Sequence, residues 1–431
     1  MAFSSIPDSD DDAPVGVTRR YAWVVFALSF GLLISDYMSR QVLNAVFPLL
    51  KAEWALSDTR LGLLSGIVAL MVGLLTFPLS LLADRWGRVR SLALMAALWS
   101  VATLGCGLAQ NYNEMFAARF FVGVGEAAYG SVGIAVVLSV FPKQMRATLS
   151  GAFMAGGMFG SVLGMALGGG IAAHVGWRWA FAGMALFGLA LAALYPLVVR
   201  EAKVSPRRGL AGGAAKRPAL RNLFNSRSVR AAYVGSGLQL FVGGAFIVWM
   251  PSFMNRYYAM GADRAGAAAA GVVLASGAGM ILCGMLSDRL CRNAPSRKIA
   301  LAIFYCLSSA VLLMSGFSLA PGAAQLALIG AGMFLAAGTT GPCGAMVANL
   351  TPRPIHGTAF ATLTLANNLL GLAPGPFLTG ALADRLGLAQ ACQMVPLVSV
   401  LAALVFLYAR SHYEGDVARR VAAMNDAAVA A

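Results

Sequence analysis

The chain has 431 residues, of which 59% are apolar and only 11% charged, with a mean hydropathy of +0.74. So few polar groups cannot cover a water-soluble surface of this size, which leaves a polytopic membrane protein as the class that fits. The net charge of +15 invites a nucleic-acid reading, but the basic residues are spread over many loops rather than collected into one patch, which excludes it.

Residues 1–20 carry the acidic run DSDDD and no basic n-region, so we expect a disordered cytoplasmic tail and not a cleavable signal peptide. Apolar runs near the roughly 20 residues that a bilayer requires follow at about 21–44, 61–82, 91–109, 114–138, 147–172 and 177–199. From Arg200 to Arg230 nine Lys or Arg face a single acid, Glu201, among Pro and Gly, which reads as a long cytoplasmic linker. Six more runs come at about 229–254, 265–286, 298–319, 323–348, 357–383 and 390–410. The expected plan is a tail (1–20), a six-helix bundle (21–199), a basic linker (200–228), a second six-helix bundle (229–410) and a cytoplasmic tail (411–431). With both ends inside, only Lys51, Arg60, Arg178, Arg256, Arg264 and Arg385 fall in outer loops and only Arg40 and Arg119 within spans. The other 24 basic residues are cytoplasmic, as the positive-inside rule requires of a plasma-membrane or bacterial inner-membrane protein.

Two spans carry charges where an isolated ion costs from about 3 to well over 10 kcal/mol. In LLISDYMSRQVL, Asp36 and Arg40 lie one helical turn apart. In ARFFVGVGEAAYG, Arg119 and Glu126 lie two turns apart, so each pair shares a helix face. At 1.5 Å per residue, Asp36 sits about 22 Å from the inner edge and Arg119 about 9 Å from the outer edge of a core about 30 Å thick, which is the same depth. We therefore expect Asp36 to pair with Arg119, Arg40 to sit nearer the outer face, and Glu126 to be the group free to titrate. Burial favours a neutral carboxylic acid and a nearby guanidinium favours its ionised form. An anion arriving at Arg119 would then change the proton occupancy of Glu126, which is a coupling mechanism. Tyr37, Tyr129, Gln239, Trp249, Asn367 and Asn368 are the other in-span polar or aromatic candidates for substrate contact.

An internal repeat supports two homologous halves. LADRWGRVR (82–90) follows the second span and LSDRLCRN (286–293) follows the eighth. An Asp-Arg pair at a helix end can hold a facing helix terminus in one state and release it in another, so Asp84, Arg85, Arg88, Asp288 and Arg289 are gate candidates. The pair recurs as Asp384-Arg385 at the outer end of the eleventh span, where a plain boundary anchor is the alternative. Helix 5 places Gly156, Gly160, Gly164 and Gly168 four apart, and we expect them to pack tightly across the bundle interface. Cys106, Cys283, Cys291, Cys306, Cys343 and Cys392 have no metal-ligand spacing, and neither disulfide, metal nor cofactor is expected.

With a basic loop between six-helix halves, DRWGR after helix 2 and its echo after helix 8, the chain resembles the major facilitator superfamily over 21–410. Within it, GVGEAAYG, SDTRLGLLSG and the stretch Asn367 to Asp384 resemble the Spinster-like branch. Where that branch usually carries Asp directly before Arg in helix 1, this chain has Ser39 before Arg40, with Asp36 a turn earlier. The resemblance implies an all-α fold of twelve transmembrane helices in two pseudo-symmetric bundles, alternating access, and an amphipathic or lysolipid-type substrate. Arg119 suggests that the substrate is anionic.

The expected activity is proton-coupled transport by a monomer whose partners are protons, membrane lipids and a small-molecule or lipid-like substrate. An organic-acid or sugar-acid uptake symporter and a multidrug exporter are the rivals within the class. A membrane enzyme fails for want of HExxH, GxSxG or clustered His and Cys, and without a GxxxxGK[ST] string ATP is not the energy source. A channel or receptor does not explain the duplicated gate strings. The linker generates one prediction: deleting residues 206–218, or replacing them with Gly and Ser, leaves transport by reconstituted protein near wild type, whereas collapse at normal expression would make the segment a functional element.

Overall fold

The structure, a computed structural model, describes residues 17–204, 223–224, 226–291, 296–352 and 355–429. Twelve helical crossings follow in order: α1 Arg19–Trp54, α2 Asp58–Trp86, α3 Arg88–Leu108, α4 Tyr112–Val140, α5 Arg146–His174, α6 Trp177–Val198, α7 Arg227–Tyr258, α8 Ala262–Leu290, α9 Arg297–Ser318, α10 Ala323–Leu350, α11 and α12 Leu388–Arg420. Helix α11 is built in three pieces, His356–Asn367, Asn368–Leu372 and Pro374–Leu386. Eleven of the crossings are long and apolar enough to span a membrane as they stand. The pieces of α11 are not, because Pro374 has no N–H to return to the preceding turn. The chain widens there into a π turn that Ala373 N closes on the Asn368 carbonyl at 2.9 Å.

Local chemistry fixes the helix ends. Thr18, Ser57 and Ser226 accept from backbone N–H groups of α1, α2 and α7, and Asn111 with Glu114 forms a reciprocal cap at the start of α4. Gly87 (φ 104), Gly176 (φ 108) and Gly387 (φ 86) make the tight turns after α2, α5 and α11, where a side chain would be strained. Two of these glycines end the strings Asp84-Arg85-Trp86-Gly87 and Asp384-Arg385-Leu386-Gly387, so part of each string encodes a turn.

Helices α1–α6 form one bundle and α7–α12 the other. Within them α1 packs on α5, α3 on α6 and α2 on α4, while α7 packs on α12, and α10 on both α8 and α9. The halves meet mainly along α2 with α11 and α5 with α8. We call the side where α1 begins the termini side and its opposite the far side. A Cβ on Gly66 would come within 2.5 Å of the Ala373 carbonyl oxygen, and one on Gly73 within 2.8 Å of Asn368 Cβ. Gly62 and Gly380 press equally closely on the backbone of Pro376 and Asp58. These approaches run from the far side to mid-membrane. Beyond them, the segments of α4 and α10 past their mid-span breaks (Tyr129–Val140 and Thr340–Leu350) find their main packing partners within their own halves. The molecule is therefore closed on the far side and parted toward the termini side.

One expectation changes. The stripe Gly156, Gly160, Gly164 and Gly168 packs on α1 inside its own bundle, against Phe30, the Ile34 carbonyl, Met38 and Val42. A four-residue period keeps one face, and that face meets α1. The cross-bundle contact falls one residue round, where Gly169 meets the Ala262 carbonyl and Gly266 of α8 meets that of Met165. In the segment expected as the carboxy-terminal tail, the chain continues as helix from α12 through residue 429. Its Asp416 accepts from Ser226 Oγ at 2.7 Å and Ser228 N at 2.8 Å, tying it to the start of α7. Of the expected linker, Glu201–Val204 is a helical turn whose Glu201 accepts from Arg88 N and Val89 N at 2.8 Å each, capping α3. Residues 1–16 of the expected tail and 206–218 of the linker lie outside the described residues.

Two glycine substitutions should separate packing within a bundle from packing between bundles. Gly160→Leu forces α1 off α5 and is expected to cost about 1–3 kcal/mol, seen as a lower melting temperature. Gly66→Leu wedges α2 from α11, and we expect near-normal melting with transport reduced at least tenfold. Unchanged transport would show that the far-side closure is not obligatory.

Candidate functional site

Helix α4 is thinned by glycine where it needs to reach its neighbours. A Cβ at Gly123 would strike Val68 and Met71 of α2, and one at Gly125 would lie 2.6 Å from Trp99 N of α3. Glu126 is carried into the bundle between those contacts, and the helix breaks directly after it at Ala127 and Ala128. Thr76 of α2 donates to the Ala127 carbonyl at 2.6 Å, so the break leaves that group satisfied. Helix α10 breaks at Gly338 and Thr339 after the same fifteen residues, Ala323–Ala337 against Tyr112–Glu126. The duplication therefore kept the bend and not the acid.

The four in-span charges converge, but not in the predicted pairs. Arg40, which the sequence placed nearer the outer face, sits between the two acids. Its Nε lies 2.7 Å from Glu126 Oε2 and donates to Asp36 Oδ1 at 3.1 Å. A single N–H does not align well with both, so the Glu126 contact is an ion pair rather than a directed hydrogen bond, and among the described residues no hydrogen-bond donor is aligned on either Glu126 oxygen. Arg119 does not meet Asp36. Its Nε donates to the Leu64 carbonyl at 3.2 Å and its Nη1 to the Ser39 carbonyl at 3.0 Å, and no carboxylate among the described residues is within ion-pair reach. Arg119 is 1% exposed and Glu126 likewise, so both charges rely on protein groups. Depth put the right residues on one level. Side-chain reach chose Arg40, one turn from Asp36 on the same helix.

Arg40 and Arg119 line a central cavity of about 180 Å³ between the halves. Its first-half wall also carries Tyr37, Gln41, Asn44, Ser65 and Ser161, while its second-half wall is Gly244, Ile247, Val248, Leu372 and Pro376. All of the cavity's charged and polar side chains lie on the first-half wall, beside Val68 and Ala69, and the second-half wall is wholly apolar. Asn44 is 2% exposed and donates to Gln41 Oε1 at 2.6 Å, leaving its own Oδ1 unpartnered. Tyr37, Arg40, Gln41 and Asn44 recur at three- and four-residue spacing, and that continuation of the Asp36 face was the sequence signal for Gln41 and Asn44.

Most of the other substrate candidates lie off this cavity. Tyr129 donates to the Ser29 carbonyl at 2.5 Å and is buried in the first bundle against Trp99. Gln239 bonds Ser309 at 3.2 Å. Trp249 donates to the Pro376 carbonyl at 2.9 Å and packs on Phe47, so it seals the interface between the halves. Asn368 donates to the Thr364 carbonyl at the start of the π turn, and Asn367 precedes it. Tyr129, Gln239, Trp249 and Asn368 each meet a helix–helix or main-chain need first, which is what a polar group in lipid does when a partner is near.

At the termini side, Asp84 is exposed and accepts from Arg88, one turn on, at 3.2 Å. Asp288 pairs with Lys298 at 2.5 Å, and Arg85 and Arg289 are exposed. Among the described residues, none of these gate candidates forms a hydrogen bond or ion pair between the two halves. The bridge is on the far side. Asp58 is 2% exposed and is held by Lys51 at 2.5 Å and, across the interface, by both Arg256 nitrogens at 2.6 and 2.8 Å. Asp384, the string that the sequence offered as a plain anchor, accepts from Asp58 N at 2.7 Å, Thr59 N at 2.8 Å and Thr59 Oγ1 at 2.5 Å.

Comparison with known proteins accords with this architecture. The family model described as Major Facilitator Superfamily matches residues 29–340 and 232–425. The chain is 26% identical over 338 residues to the "Probable L-galactonate transporter" of Escherichia coli (strain K12), covering 72% of this chain and 74% of that protein. It is 28% identical over 428 residues to the sphingosine-1-phosphate transporter SPNS2 of Danio rerio, covering 88% and 82%. The solved structure of a bacterial homolog to the human lysosomal transporter Spinster, in an inward-facing and occupied conformation, superposes with a TM-score of 0.84 at 20% identity, over 93% of this chain and 99% of that one. With relatives that are transporters throughout, a duplicated six-helix fold and a charged cavity at its centre, this chain is a membrane transporter, not an enzyme, and belongs to the major facilitator superfamily as one of its Spinster-like members.

Proposed function

We propose that the chain is a proton-coupled secondary transporter of a small anionic, amphipathic solute, working by alternating access about the central cavity. The single observation that carries the substrate class is the cavity's one-sided polarity: Arg119 and hydroxyl and amide groups on the first-half wall, and only apolar groups on the other. An anionic head would face Arg119, and an apolar body would lie on Ile247, Val248 and Leu372. A sugar acid, polar all round, would leave its hydroxyls unpartnered against that second wall.

Charge balance supports the coupling. Asp36 and Glu126 share one guanidinium, so the trio carries one excess negative charge when both acids are ionised, while Arg119 carries one positive charge met only by carbonyls. A proton taken by either acid neutralises the trio and leaves Arg119 for an anion. In a low-dielectric site an unbalanced charge is costly, so proton and anion favour each other's presence. The positive-inside distribution supports reading the termini side as the cytoplasmic side of a plasma or bacterial inner membrane. The parted side would then be the inner one, where Asp84, Arg85, Arg88, Asp288 and Arg289 have no cross-bundle hydrogen bond or ion pair among the described residues.

The cavity volume favours a second reading, a compact organic acid with an apolar body. A space near 150 Å³ holds about one benzene ring, so about 180 Å³ takes a small acid whole but only the head of a lysolipid, whose tail would run out toward the termini side. Thermal-shift screening of lysolipids against small carboxylic acids separates the two.

Proteoliposomes with and without an imposed pH gradient test the mechanism. Arg119→Ala is expected to weaken binding of an anionic substrate a hundredfold or more, roughly 3 kcal/mol. Glu126→Gln keeps the shape of a protonated carboxyl and should retain exchange of labelled for unlabelled substrate while losing gradient-driven accumulation. Accumulation equal to wild type in Glu126→Gln would move the proton to Asp36. Absence of counterflow in the wild type would remove the carrier reading altogether.

A further inference from the structure

The strings Leu82-Ala83-Asp84-Arg85-Trp86-Gly87 and Leu382-Ala383-Asp384-Arg385-Leu386-Gly387 differ at one position. They end α2 and α11, the two helices that face each other across the interface, and those helices run in opposite directions, so the strings stand at opposite membrane sides. On the far side, Asp384 reaches over to the start of α2 and binds Asp58 N, Thr59 N and Thr59 Oγ1. With Ser57 Oγ accepting from Arg60 N, three N–H groups of that first turn are met by side chains. These are groups that a helix start leaves without internal partners, and the positive end of the helix dipole adds to the attraction. At the termini side the picture is reversed. Among the described residues Asp84 is exposed and forms no hydrogen bond or ion pair with the other half, and the start of α11 at His356 has no side-chain cap.

We propose that Asp384 is a gate residue: with Thr59 and the Asp58–Arg256 pair it latches α11 and α7 to the start of α2 when the far side is closed, and it lets go when that side opens. The two Leu-Ala-Asp-Arg-x-Gly strings then act in turn, each engaged on the side that is shut. The Asp84 arm belongs to the gate reading already given; the Asp384 arm is new. The proposal rests on alternating access as read above.

Three features separate a latch from a permanent staple. The contact joins the halves and not two helices of one half. Every donor to Asp384 belongs to the first turn of α2, so separation of the halves breaks all three bonds together. Asp58 also keeps Lys51 from its own half when Arg256 leaves, so opening strands no buried carboxylate without a cation. Gly380 supports the same contact by letting α11 sit against the Asp58 carbonyl.

Spin-label distances test this without any substrate. One cysteine pair, Asn113→Cys with Pro321→Cys, spans the halves on the far side, and another, Arg90→Cys with Arg297→Cys, spans them on the termini side; all four positions are exposed and the six native cysteines are buried. Asp384→Asn and Asp384→Ala should raise the population with long far-side and short termini-side distances, on the order of tenfold for Ala. Asp84→Asn should shift both distances the opposite way, and the double variant should return toward wild type. If Asp384→Ala lowers the melting temperature and leaves both distance distributions unchanged, Asp384 is a structural cap and the latch is overturned. If the distances shift as expected while no tested anion is carried, the latch stands and the transport reading is the one at fault. Arg256→Lys, which keeps one hydrogen-bonded charge on Asp58, should shift the distances less than Arg256→Ala.

Discussion

The arrangement depends on one guanidinium, that of Arg40, held between two carboxylates at a depth where water is scarce. A charge in a bilayer core is tolerated only with a partner, and two acids that shared no cation would repel one another across a few ångströms of low-dielectric protein. Much of the first bundle follows from that requirement. Gly123 and Gly125 let α4 approach α2 and α3 closely enough to bring Glu126 to Arg40, and the helix breaks just past the acid. Thr76 satisfies the carbonyl that the break releases. The glycine stripe of α5 holds α1, which carries Asp36 and Arg40, at the separation that the ion cluster needs.

The two halves share a frame but not a chemistry. Both bend their fourth helix after the same number of residues, yet the second half puts Ala337 where the first puts Glu126, and it lines the cavity with apolar groups alone. Duplication reproduces backbone geometry readily, because the bend needs only small residues and a nearby acceptor or donor. A buried charge cluster needs four residues on two helices at once. The outcome is a cavity whose charged and polar side chains all come from the first half.

Closure follows a similar economy. The far side is shut by small residues at the α2–α11 and α5–α8 contacts, by Trp249 packed on Phe47, and by a short polar clasp at Asp58 and Asp384. Backbones in contact gain dispersion energy without trapping side chains. Polar groups placed at helix starts use N–H groups that have no other partner. Such an interface is firm and satisfies its polar groups at the helix start.

Much of this was legible in the sequence. Apolar runs at bilayer length, the +15 charge gathered on one side and the repeated Asp-Arg strings fix a twelve-helix, two-bundle transporter, because lipid demands continuous helices and the charge bias demands an orientation. Asp36, Arg40, Arg119 and Glu126 were identifiable because charge in such a span is rare. Their pairing was not. Helical rise gives depth, but whether Asp36 met Arg119 or Arg40 turned on rotation about the helix axes and on side-chain reach, which only packing sets. For the same reason Tyr129, Gln239, Trp249 and Asn368 could be seen to be polar or aromatic but not which way they face. The gate strings could be found by repetition, yet only the assembled halves decided that Asp384, and not Asp84, is the one engaged, since a contact between residues 326 positions apart exists only once two bundles have closed on one side.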